Sequence, residues 1–172
     1  MSTLLQKLHG YNAWANADLF DKLEALQEGQ QGAELHTALR LINHYYVVAR
    51  IFAAHLGGVQ HGYTSDNTEE TPSLGDLRAA VASSDQWYLD HIRNASPAGL
   101  TEVIAFTFTD GDAGCMTREE MLTHVALHGG YHRGEVGRIL WQLSITPPWD
   151  TFTVYLHRND PERRKQGQPQ TS

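Results

Sequence analysis

A chain of 172 residues is long enough for one domain with a hydrophobic core that needs no staple. Its hydrophobic fraction of 41% and charged fraction of 19% are those of an ordinary globular protein. The net charge of −7 argues against a nucleic-acid partner, because phosphate binding runs on clustered Lys and Arg.

The single cysteine, Cys115, excludes an intramolecular disulfide and gives no sign of an oxidising compartment. Lys7, His9, Asn12, Asn16 and Asp18 break up any apolar leader, and no apolar run approaches a membrane span. The expectation is a cytoplasmic protein with no membrane partner.

Helical periodicity opens the chain, over residues 3–26, with Leu4, Leu8, Tyr11, Ala15, Leu19 and Leu23 on one stripe and Gly29 and Gly32 as its stop. A second helix is expected over 34–56, ending at Gly57-Gly58. Residues 59–72, with Gly62, Ser65 and Asn67, read as a loop. Ser73 is a good N-cap, with Asp76 three residues on, for a third helix reaching Asn94 along Leu77, Val81, Ser84, Tyr88 and Ile92. The β-prone run 103–109, followed by Asp110-Gly111, predicts a short hairpin. A fourth long helix starts at Thr117, with Glu120 in the capping-box position, and continues to about Leu143 before Pro147-Pro148.

The connections 57–72 and 95–116 are too long for tight turns. The fold class predicted is all-α: a four-helix bundle with long crossover connections and a short β-like excursion before the last helix. Residues 1–157 form the domain, and 158–172 a polar, flexible tail whose basic run from Arg158 to Lys165 is diluted by Asp160 and Glu162. The lone thiol, Cys115, falls before the fourth helix with no activating base close in sequence, and reads as inert.

Ten dispersed histidines are the unusual feature of the composition. On a helical wheel of the fourth helix with Met121 at zero, Val125, Val136, Ile139 and Leu143 fall between about 0° and +60°, which marks a core stripe. His128 falls near about −20°, His132 near about +20° and His124 near about −60°. Two imidazoles one turn apart can grip one ion, and burying them unsatisfied would be costly. On the second helix, Leu41, Val48 and Ile51 share a face with His44, which supplies the third ligand. His55 lies about 16 Å further along and, at the helix end, would suit the dipole as a protonated imidazole.

Three imidazoles without a fourth protein ligand make an open site, suited to a catalytic rather than a structural ion. Zinc or nickel is expected first, with iron, manganese or copper also compatible. Gly129, Gly130, Gly134 and Gly137 imply that another helix or a second subunit approaches this backbone. Tyr11 and Trp14 are expected to pack within the bundle or a dimer interface. Asn12 and Asn16 either cap a polar pocket near the ion or are solvated.

Tyr11-Asn12-Ala13-Trp14-Ala15-Asn16, His44, and His124-Val125 followed by His128, Tyr131, His132, Arg133 and Gly134 resemble the DinB/YfiT-like family of metalloenzymes over nearly the whole chain. Residues 150–156 fit that family's C-terminal strand-like stretch. The resemblance implies a four-helix bundle, often dimeric, with ligands at His44, His128 and His132 and not at His124. It also implies a small-molecule substrate and thiol chemistry, since characterised relatives include bacillithiol transferases and a mycothiol-dependent isomerase. The expected activity is therefore thiol S-transfer to small electrophiles with a low-molecular-weight thiol as cosubstrate. The alternatives are a metal-dependent hydrolase or a non-catalytic metal-binding bundle. The chain departs from the pattern at Leu127 and Glu135, where relatives commonly carry Asn and Gln. Glu135, near about −40° on the wheel, is an acceptor for a histidine N–H, a general base, or a bundle-edge carboxylate paired with Arg138. His124 and Asn12 are the other candidate supporting residues.

Overall fold

The computed structural model describes residues 4–27 and 32–166. In chain order the elements are α1 (Leu4–Gln27), α2 (Gly32–Gly57), α3 (Leu74–Asn94), α4 (Pro97–Leu100), β1 (Val103–Thr107), β2 (Ala113–Thr117), α5 (Arg118–Gln142), α6 (Phe152–Asn159) and α7 (Arg163–Gln166). The four long helices form the bundle. α1 and α2 stand on opposite corners, each packed against both α3 and α5. No helix among the described residues is long and apolar enough to cross a membrane.

Local chemistry sets several boundaries. The Ser73 side chain accepts from the Asp76 N–H at 3.2 Å and starts α3. Thr117 and Glu120 form a reciprocal capping box at the start of α5, with Thr117 N–H to Glu120 Oε2 at 2.7 Å. Gly58 ends α2 with a φ of 66°, the left-handed conformation that only glycine adopts freely. β1 and β2 pair antiparallel with Phe106 opposite Gly114 and Ala105 opposite Cys115. The exposed Cys115 thus lies on strand β2.

Several sequence expectations are corrected. Residues 150–156 are not strand-like: Thr151 caps the helix α6, which crosses the expected domain edge at 157. α7 makes part of the tail helical; residues 167–172 lie outside the described chain. Gly32 begins α2 instead of ending α1, and Gly29 lies outside the described residues. In α1, Leu4 is exposed while Leu5, His9, Asn12 and Asn16 are buried.

The largest correction concerns α5. Its buried residues are Met121, Leu122, Val125, Ala126, Gly129, Arg133, Val136 and Leu140. They span about 0° to +140° and centre the core face near about +80° on the wheel used above, with His128 and His132 at one edge. His128 and His132 therefore flank the core. Glycine and arginine hide that face from an apolar count.

Two apolar clusters fill the interior. One contains Leu19, Phe20, Leu23, Ile42, Leu77 and Leu140; the other contains Phe52, Tyr88, Ile92, Met121, Leu122 and Val125. Between them lies a polar layer. Arg133 Nε donates to Asp150 Oδ2 at 2.7 Å, and its Nη1 donates to Asn12 Oδ1 and to Asn16 Oδ1, the latter at 3.1 Å. Asn16 and Asn12 donate in turn to the two Asp85 oxygens at 2.8 and 3.3 Å, and Tyr45 donates to Asn16 Oδ1 at 3.1 Å. Gly129 lets α1 approach, since a Cβ there would lie 2.9 Å from Asn12 Oδ1. Of the four α5 glycines it is the one with a close helix contact.

Candidate metal centre

His44 on α2 and His128 and His132 on α5 converge where those helices pack side by side. One nitrogen from each lies within 4.8 Å of the other two, and all three side chains are half-buried. Nε2 of His128 and Nε2 of His132 are 3.1 Å apart. Two nitrogens each about 2.1 Å from one ion reach that spacing at an N–ion–N angle of about 95°. The three rings sit edge to face, with centroids 4.5 to 5.0 Å apart.

The outer nitrogens of two of these imidazoles are already engaged. His132 Nδ1 bonds to Glu135 Oε2 at 2.6 Å, and His44 Nδ1 to the Asp66 carbonyl oxygen at 2.9 Å. Each bond orients its ring and leaves Nε2 for an ion. The Asp66 carboxylate is 3.6 Å from the same His44 nitrogen. Its loop is pinned to α2 by Asn43, which donates to Thr68 Oγ1 at 2.6 Å, and by Asn67, which donates to the Arg40 carbonyl at 3.0 Å. Burial, and then the neighbouring His132, His44 and His124, pull the His128 pKa down to about 3. His128 is therefore held in the neutral form, which is the form of imidazole that coordinates a cation.

The DinB family profile matches residues 1–167. The chain belongs to the DinB family. Protein DinB of Bacillus subtilis (strain 168) is 22% identical over 175 aligned residues, which cover 95% of this chain and 99% of that protein. No solved structure matches.

Within this DinB-family bundle the supporting residues separate. Glu135 contacts His132, which fits the first of its three expected roles, and no ion pair with Arg138 is present among the described residues. His124 stays outside the triad, with its ring stacked on His128 at 5.3 Å and tilted against Phe52 at 4.8 Å. Asn12 and Asn16 neither cap the ion site nor face solvent; both are buried on Arg133 and Asp85. Tyr11 and Trp14 pack on Tyr155 of α6 at ring distances of 6.1 and 5.9 Å, and the Tyr11 hydroxyl donates to Asp150. Burial, and then His61, lower the His55 pKa, which works against the protonated helix cap expected of it.

Sequence reasoning missed Asp66, which contributes a backbone carbonyl from a loop and leaves no residue-type signal. It also missed Asp85 and His9. His9 is only 2% exposed and bonds through Nε2 to the Leu122 carbonyl at 3.0 Å. A polar residue repeating on the core side of α1 every three or four positions was the available clue.

Proposed function

We propose that the chain is a metal-dependent enzyme in which His44, His128 and His132 hold one divalent ion, zinc or nickel before iron, manganese or copper, for transfer of a small thiol to an electrophile. The observation that carries this reading is the three-membered cluster itself: two outer nitrogens are fixed by Glu135 and Asp66, no fourth side chain joins the group among the described residues, and a cleft opens beside it. Three imidazoles leave coordination positions for a reactant, whereas closed structural sites fill all four. Bound there, a divalent ion supplies Lewis acidity, which lowers the pKa of a thiol or water that reaches it. Glu135 and the Asp66 carbonyl hold the rings, and Glu135 makes His132 a stronger donor.

Elemental analysis of the native protein is expected to find one transition-metal ion per chain, lost in His128→Ala. Turnover is then measured with bacillithiol, mycothiol, glutathione and coenzyme A against common electrophiles. One ion with no turnover on any thiol removes the transferase reading and leaves a metal-binding bundle. Absence of a stoichiometric ion removes the metal as well.

The partner proposed is a second copy of the chain. Leu127, Tyr131 and Trp141 are 65%, 67% and 70% exposed along one outer stripe of α5. Light scattering is expected to give twice the chain's mass, and Leu127→Asp with Trp141→Asp to return it to one; a wild-type monomer ends the idea.

A further inference from the structure

The cleft beside the triad is about 340 Å³, at the small end of small-molecule sites. His44 and His128 close one end. The walls are Phe52 of α2, Phe106 and Phe108 of β1 and the turn after it, and Met116 of β2. The two hairpin rings are 4.9 Å apart, and Phe52 and Phe106 are 5.8 Å apart. Gly114 makes this wall possible: a Cβ there would lie 2.5 Å from Phe106 and 2.8 Å from Phe108, so both rings fold across the bare backbone. Phe106 is 9% exposed and Phe108 46%, as expected of a rigid base and a rim.

Apart from an ion held by the triad, the charged side chains of the cleft have one sign. Its lining contains no Lys or Arg, and its carboxylates are Asp66 and Asp110. An anionic group lying on the Phe106 and Phe108 wall, rather than at the ion, would give up water there and meet the Asp110 carboxylate as a like charge. An aromatic or aliphatic body gains burial against the Phe walls, and a cation gains both the rings and the carboxylates.

We infer that this cleft takes a small ring-bearing or apolar molecule that is uncharged or cationic, and that Phe108 and Asp110 set that preference. The inference rests on the metal-enzyme reading above and names the electrophile's class for it.

Three probes of one shape test it by calorimetry on the zinc-loaded chain: naphthalene-2-methanol, (naphthalen-2-ylmethyl)trimethylammonium and naphthalene-2-sulfonate. The alcohol and the ammonium are expected to bind, and the sulfonate about tenfold more weakly or not at all. Phe108→Ala, at an exposed position, is expected to weaken the alcohol about fivefold. Asp110→Asn keeps an acceptor for the Asp112 N–H, now 3.0 Å from Asp110 Oδ1, and is expected to narrow the gap between ammonium and sulfonate. Sulfonate binding as tight as the others, unchanged affinity in Phe108→Ala, or no binding of any probe overturns the inference. Zinc titration of the same samples separates the two claims. Probes that fail while one zinc per chain still binds strike only the cleft, and zinc that fails to bind strikes the metal reading and the substrate claim with it.

Discussion

Arg133 carries its charge at 2% exposure, and four groups answer it: Asp150, Asn12, Asn16 and, through the asparagines, Asp85. Removing one partner of a buried pair leaves the others desolvated without compensation, which costs about 3–5 kcal/mol. Arg133→Met is therefore expected to lower unfolding free energy by about that amount in urea titration, although Met has similar length. A loss under about 1 kcal/mol would mean that Asp150, 20% exposed at its side chain, simply turns to water. Two neighbouring groups titrate with opposite consequences. Burial raises Asp85 to about 6, so between its unfolded value of 3.8 and that pH the native state holds the extra proton, and stability falls as pH rises. Burial lowers His9 to about 4 from 6.5, so over that window the unfolded state holds the extra proton, and stability falls as pH drops. The His9 contribution is on the order of 3 kcal/mol. The two slopes oppose each other from about pH 4 to 6 in the wild type. Asp85→Asn is expected to expose the His9 slope as a steeper loss of stability on acidification, and His9→Gln, which keeps a donor for the Leu122 carbonyl, to flatten it. Identical pH profiles for Asp85→Asn and wild type would refute the assignment.

At the scale of elements, what was legible followed from local chemistry. Ser73 with Asp76 and Thr117 with Glu120 announce their helices because the partners lie three residues apart in any context. Asp110-Gly111 announces the hairpin, and Gly111 takes a φ of 95° there. α6 was illegible for the opposite reason. Phe152-Thr153-Val154-Tyr155 is a β-prone run, and it is helical because Tyr155 docks on Tyr11 and Trp14 across the bundle. That docking depends on Gly10, where a Cβ would lie 2.3 Å from the Tyr155 hydroxyl oxygen and 3.3 Å from Cζ. Gly10→Ala is expected to destabilise the fold by about 1–3 kcal/mol, despite the better helix propensity of alanine. Tyr155→Phe removes the clashing oxygen, so the double variant should lose less than the sum of the singles. Strict additivity in urea unfolding would show that α6 is not held by this contact.

For the molecule as a whole, the site was legible in identity and misplaced in depth. The i, i+4 spacing of His128 and His132, with His44 on a neighbouring helix, pointed to three residues that do converge. The apolar count put them in the core; the polar layer of Arg133, Asn12, Asn16 and Asp85 occupies that place, and the histidines sit beside it between α2 and α5, with His44 and His128 lining the cleft. This depth has a thermodynamic consequence. Two apolar clusters fill the interior and the triad is only half-buried beside them, so the bundle is expected to fold without an ion, unlike a zinc finger whose core is its metal. An ion that binds only the folded chain adds stability by mass action, about 2.7 kcal/mol at a hundredfold excess over Kd, which for this length is a rise in Tm of about 8 °C. Zinc or nickel should produce that shift in the wild type and chelator should reverse it, with the far-ultraviolet helical signal at 25 °C unchanged throughout. His128→Ala should keep the metal-free Tm within about 3 °C, because its site is half-buried, and lose the metal-dependent increment. A chelated wild type that unfolds at 25 °C would place the ion among the structural supports of the bundle, and the open, reactive site would no longer follow from its position at the flank.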